Sequence, residues 1–189
     1  LDLSVLTAAT GEFRLSSLSR DGHAIPAHWT NDANLEIDLD PALDASSTRL
    51  VVTYRLRPSG DTSSSLATRT SIAEGIIRFG GWFPIVSDGH GYRQPGDAQV
   101  TATASVFRLD LTRDRAALVA APGDPLVATK RHDVYELRDA RDFAFAVSER
   151  FVTKRRQVGG VTVEAYTLRG APATTAISSA GRELAAFAD

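Results

Sequence analysis

Apolar residues recur at every second position along most of this chain. That spacing sets one side of an extended strand against a core and the other in water. Leu35, Ile37 and Leu39 alternate with Glu36, Asp38 and Asp40, and Leu50, Val52, Tyr54 and Leu56 share a second face opposite Thr53 and Arg55. The segment 41–48 between them is rich in small and turn-forming residues, so the two runs are expected to pair with each other.

Further on, Val100, Ala102, Ala104 and Val106 alternate with polar residues, and the phase then switches to Phe107, Leu109 and Leu111. A one-residue phase change predicts a bulge or a strand that turns a corner. The runs 117–120 and 126–129 flank Ala121-Pro122-Gly123-Asp124-Pro125, which reads as a hairpin turn. Phe143 to Val147 is almost continuously apolar, as in a strand covered on both faces. Gly159-Gly160 separates two further β-runs and predicts a tight hairpin. Lys154-Arg155-Arg156 falls near its expected tip, and 59–65 reads as a polar loop. After Gly170-Ala171-Pro172 the period lengthens: Ile177, Ala180, Leu184 and Phe187 fit a helix, with Thr174 as its cap, that either packs against the sandwich or opens a further domain. The pattern as a whole predicts an all-β fold, an antiparallel β-sandwich or saddle-like pair of sheets with one C-terminal helix.

Composition narrows the chemistry. With 189 residues and 43% apolar content, the chain is long enough for a self-sufficient core. A net charge of −2 gives no general attraction for nucleic acid. No apolar run approaches the ~20 residues needed to span a bilayer. There is no Cys, which excludes thiol catalysis, disulfides and cysteine metal sites. The chain opens on Leu1 and contains no Met, so an upstream segment is expected, and no targeting signal is there to be read.

Candidate chemistry is sparse. His23, His28, His90 and His132 do not fall at metal-ligand spacing, and no H-E-x-x-H string occurs. Asp38, Asp40 and Asp44 lack the Gly and Glu of a calcium loop, so they read as the wet face of a strand and its turn. There is no G-x-S-x-G elbow. Asp88-Gly89-His90-Gly91 lacks phosphate-loop spacing and reads as a turn. The basic triplet 154–156 has no interleaved aromatics for nucleic-acid stacking; guarding a sheet edge suits it equally well.

Two segments carry a resemblance. Gly81-Trp82-Phe83-Pro84, the loop to Gln94-Pro95 and the following run 100–106 resemble the W-F-P region of aminopeptidase-N-type (gluzincin) zinc metallopeptidases. Arg141-Asp142-Phe143-Ala144-Phe145-Ala146-Val147-Ser148 is similar to their R-D-F-A-x-x-V-S strand, and the run 34–39 ahead of 50–54 falls in the same order. The resemblance implies an N-terminal β-sandwich domain over residues 1–170, with 171–189 as a linker and the start of a helix belonging to a catalytic domain beyond. On that reading this segment is not itself an enzyme and has no catalytic residue. Zinc is expected in the parent's catalytic domain, not in this segment; the partners are that C-terminal domain and the parent's peptide substrate. The family's H-E-x-x-H helix and its Gly-rich peptide cradle belong to that next domain, and both are absent here. Several members hold the substrate's amino group with a Gln/Glu pair upstream of W-F-P. Only Glu74 lies near that place, without the Gln, and its alternative is a surface acid at a strand end. A stand-alone β-sandwich binding or adhesion module, and a scaffold domain of a peptidase-like protein without activity, are the competing readings.

Overall fold

A computed structural model describes residues 2–4, 11–31, 34–37, 48–60, 70–87, 104–140, 142–158 and 160–187. The first half carries β1 (Asp2–Ser4), β2 (Gly11–Arg20), β3 (His23–Ala24), β4 (Ala27–Asn31), β5 (Asn34–Ile37), β6 (Leu50–Pro58), β7 (Ser71–Ala73), β8 (Ile76–Phe79) and β9 (Ile85–Ser87). Then follow β10 (Ala104–Thr112), β11 (Leu118–Ala120), β12 (Pro125–Ala128), β13 (His132–Ala140), β14 (Phe145–Ser148), β15 (Phe151–Val158), β16 (Val161–Leu168) and helix α1 (Ala173–Phe187). The strand ladders are antiparallel, and the fold is all-β with one C-terminal helix. No helix among the described residues is long and apolar enough to cross a membrane.

Two cores organise the sheets. In the first, Leu18, Leu35 and Ile37 are buried with Leu15, Ile25, Ala27 and Val52 against them. It presses the sheet β3-β2-β6 onto the sheet β4-β5-β1-β9. A register shift between Leu15 and Ser17 lets Leu15 and Leu18 face the same side, opposite Tyr54 and Val52. In the second, Leu109, Val119, Tyr135, Phe143 and Phe145 are buried. It presses β10-β13-β12 onto β11-β14-β8-β7. Residues opposite one another on a ladder share a face, so Phe145, Phe79, Val147, Ile77 and Val119 point to this core. Ala146, Arg78 and Ala120 point the other way, toward Phe151 and Tyr166 of the β15–β16 hairpin across a cavity of about 610 Å³.

Several sequence expectations hold. β6 alternates along its whole length, with Leu50, Val52, Tyr54 and Leu56 inward. Val158 pairs with Val161, leaving a two-residue turn in which Gly160 has φ +81°. β14 lies between β11 and β8, but its two faces are not equally covered: Phe145 is buried, whereas Ala144 is exposed and Ala146 half-buried at the cavity, so the second face is covered only in part.

Others are corrected. The runs at 35 and 50 do not pair: β5 pairs with β4 and β1, β6 pairs with β2, and they meet face to face through the first core. The segment 121–124 is not a hairpin turn. β11 joins β14 while β12 joins β13, so the two prolines mark a crossing between sheets. The phase change at Phe107 brings no bulge, because β10 keeps one register with β13 from Ala104 to Thr112. The irregularity sits on the partner strand, where Asp139 adopts φ +51°. Lys154 to Arg156 lie within β15 and not at its tip. Thr174 does not cap α1: the helix starts at Ala173, and the Thr174 hydroxyl accepts from Lys154 Nζ at 3.0 Å. The helix rests on β15 and β16, burying Ile177 and bringing Gly181 close to Val158. Residues 38–40 and 100–103, and the loop residues 61–65, lie outside the described residues.

Candidate functional site

The two segments that carry the resemblance, 61 residues apart in their key contact, meet in space. Trp82 Nε1 donates to the Phe143 carbonyl at 2.7 Å. The Trp82 ring stands edge-on to Phe83 at 5.3 Å and to Phe145 at 5.5 Å, and Phe145 stacks on Phe79 at 4.6 Å. Phe83 continues the cluster to Phe107. Trp82 and Phe83 are therefore core anchors, as an architectural reading of W-F-P requires. Asp142 Oδ1 accepts from the Phe143 amide at 2.8 Å and fixes the entry to β14, while Arg141 lies outside the described residues, as do Gln94 and Pro95. Tyr54, on β6 beside the first core, donates its hydroxyl to the Trp82 carbonyl at 2.9 Å, tying β6 to the second core. Burial pushes the Tyr54 phenol up to about 12.

Glu74 stands eight residues before Trp82, in the two-residue turn between Ala73 and Ile76. Glu74 has φ +54° and Gly75 φ +79°, the double left-handed conformation that matches the twist of paired strands. The turn is clamped from the β14–β15 connection. Arg150 Nη1 donates to the Glu74 carbonyl at 2.8 Å, and Ser148 Oγ donates to the Gly75 carbonyl at 2.7 Å. The Arg150 amide in turn donates to Ser148 Oγ at 3.1 Å. The backbone of Glu74 is thus held from behind while the residue itself is exposed.

The other titratable groups serve strand pairs and turns. His28 Nε2 lies 3.0 Å from Glu36 across β4 and β5, His132 Nε2 lies 2.9 Å from Asp110 across β13 and β10, and His23 is exposed on β3. His90, the acids at 38, 40 and 44, and the turn 88–91 lie outside the described residues. Among the described residues no group of three or more His, Cys, Asp or Glu is placed to hold a metal ion. Arg155 Nε meets Glu164 at 2.8 Å on the hairpin, beside a cavity of about 530 Å³ that Tyr135 and Tyr166 also border. Burial, then a hydrogen bond to Glu164, push the Tyr166 phenol up to about 12; burial and the nearby Asp133 carboxylate also raise Tyr135.

Sequence reasoning missed the buried Arg113–Asp133 ion pair. Arg113 Nη2 also donates to the Thr129 carbonyl at 3.1 Å, and the Thr129 amide donates to Asp133 Oδ1 at 3.1 Å. This closes the β12–β13 turn. Its only trace in the sequence is two charges 20 residues apart at strand ends, a signal that any surface pair also gives.

No family model matches the chain, and no curated protein matches it. Its likeness is to solved structures. An M1 zinc metallopeptidase from Deinococcus radiodurans superposes with a TM-score of 0.60 at 19% identity, covering 93% of this chain and 41% of that one. A mutant M1 zinc metallopeptidase from Deinococcus radiodurans, bound to a Tyr-Ser-Ala substrate, gives 0.58 at 19% over the same shares. A two-domain M1 zinc metallopeptidase mutant bound to L-tryptophan gives 0.57 at 20%, again over 93% and 41%. At these identities the shared property is the fold, and the chain spans about two-fifths of the chains it matches.

Proposed function

We propose that this chain is the non-catalytic N-terminal β-domain of a zinc-dependent aminopeptidase, covering one side of the substrate cleft of a catalytic domain that follows it. The observation that carries the reading is the joint one: the two motif segments meet through Trp82 and Phe143, inside a fold shared with M1 zinc metallopeptidases over 93% of the chain. Residues 1–170 form the domain, and 171–189, with α1, lead into the catalytic part. Zinc belongs to that part, where an electrophilic metal would polarise the scissile carbonyl and activate water. The described residues here provide no ligand set for it. This chain's contribution is shape: it restricts access so that chain ends are cleaved.

Within that role Glu74 is the residue we assign to the substrate's ammonium group. Its side chain is exposed at a clamped turn, and a carboxylate facing an ammonium makes a charge-assisted hydrogen bond. The left-handed backbone is also unusual for a Glu, where Gly or Asn would be less strained, and such strain persists where surrounding structure holds it for use. The test is hydrolysis by the longer protein of one peptide with a free and with an acetylated amino terminus, before and after Glu74→Gln. The proposal expects strong preference for the free terminus, and a rise in KM of about tenfold for it alone in the variant. An unchanged preference removes Glu74 from the role; hydrolysis indifferent to acetylation removes the aminopeptidase reading.

A further inference from the structure

At one end of the second sandwich the core is not closed by apolar side chains. Ile72, Ile77 and Val147 lie on the core-facing side of β7, β8 and β14, and there they line a cavity of about 380 Å³. Ile72 is 46% exposed, so an apolar floor lies open to solvent. Three arginines surround it. Arg113 and Arg115 come from the β10–β11 connection and Arg150 from the β14–β15 turn. The acid among the lining residues is Glu149, 3.9 Å from Arg115 with both side chains largely exposed.

Two of these guanidinium groups are held in place. Arg150 is fixed by the Glu74 carbonyl and packs where a Cβ on Gly75 would come within 3.1 Å of its Cδ. Arg113 is held by Asp133 and the Thr129 carbonyl, with its side chain 8% exposed. Its Nε–H is buried with no partner among the described residues.

We propose that this cavity binds a small organic carboxylate carrying an aliphatic or aromatic group. The apolar part would cover Ile72, Ile77 and Val147, and the carboxylate would meet Arg115 and Arg150 at the rim. Asp133 neutralises Arg113 and Glu149 stands loosely against Arg115, so Arg150 is the cation in excess of these two acids and favours negative charge at the rim. An apolar floor selects for a tail that acetate lacks. Arg150, held by the Glu74 carbonyl, loses little freedom on binding, and the planar fork of an arginine matches a carboxylate. The site does not depend on the peptidase reading, because every group in it belongs to this chain.

The test is a titration of the isotope-labelled chain with phenylpropanoate, followed by the backbone amide resonances. Phenylpropylamine and acetate serve as the charge and tail controls. Saturable shifts centred on Gly75, Ala117 and Ser148 are expected with phenylpropanoate, with acetate at least about tenfold weaker and the amine inactive at these positions. Arg150→Gln and Arg115→Gln, each shown folded by an unchanged melting profile, should weaken binding several-fold, as should added salt. Lys154→Gln, remote on β15, should not. Equal binding of the amine, shifts centred elsewhere, no saturation, or wild-type affinity in both folded arginine variants would each overturn the proposal.

Discussion

Trp82 does several jobs at once: its indole N–H bonds the Phe143 carbonyl, its ring faces Phe83 and Phe145, and its own carbonyl accepts from Tyr54. Trp82→Phe keeps much of the packing but leaves the Phe143 carbonyl without its donor, which should lower stability by about 1–3 kcal/mol in urea unfolding. Loss of no more than a few tenths would show that the bond contributes little. Tyr54 and Tyr166 make a second residue-level prediction. Burial raises both phenols from 10.0 to about 12, so the folded state holds these protons more tightly than the unfolded chain. Stability from this source is fully present below pH 10 and is lost as pH rises through about 12. Denaturant unfolding measured across that range should show the decline, and Tyr54→Phe should make it shallower. An unchanged slope would mean Tyr54 ionises as freely in the fold as outside it.

At the scale of elements, the β7–β8 turn gives the sharpest expectations. Gly75→Ala places a Cβ at φ +79° against Arg150 and should destabilise by about 1–2 kcal/mol. Glu74→Asn relieves a left-handed Glu and should stabilise by roughly 0.5–1 kcal/mol. If the longer protein loses substrate affinity in the same variant, strain and use are linked at this turn. The turn also shows what was readable beforehand. Alternation placed β6 and located the Gly159-Gly160 hairpin, because period two and turn chemistry are local properties. Pairing was not readable. β5 and β6 carry compatible faces and a turn-rich connection, yet each joins a different sheet, since ladder partners are chosen by which faces close a core. The prolines around Gly123 were visible, but a crossing between sheets needs the same chain-breaking residues as a hairpin. The arginine-lined cavity left no sequence trace, because Arg113, Arg115 and Arg150 come together only when two separate connections converge.

At the scale of the whole molecule, two sandwiches are joined by Tyr54 and Trp82, and a hairpin with α1 lies across the second. The W-F-P and R-D-F-A segments were legible as a resemblance because their aromatic residues build the second core, and core residues repeat wherever the fold does. Glu74 was legible only as a position: Gly75 beside it is a turn signal, but a Glu at the first left-handed position is not what turn chemistry leads one to expect. The function proposed above is a division of labour in which this domain would shape a cleft and a zinc centre elsewhere would break bonds. Its most direct test is zinc content and aminoacyl-reporter hydrolysis measured side by side on the 189-residue chain and on the longer protein that the proposal calls for. The account predicts stoichiometric zinc and chelator-sensitive turnover in the longer protein, and neither in the isolated chain. Chelator-sensitive turnover by the isolated chain, or a longer protein that binds no zinc, would contradict it.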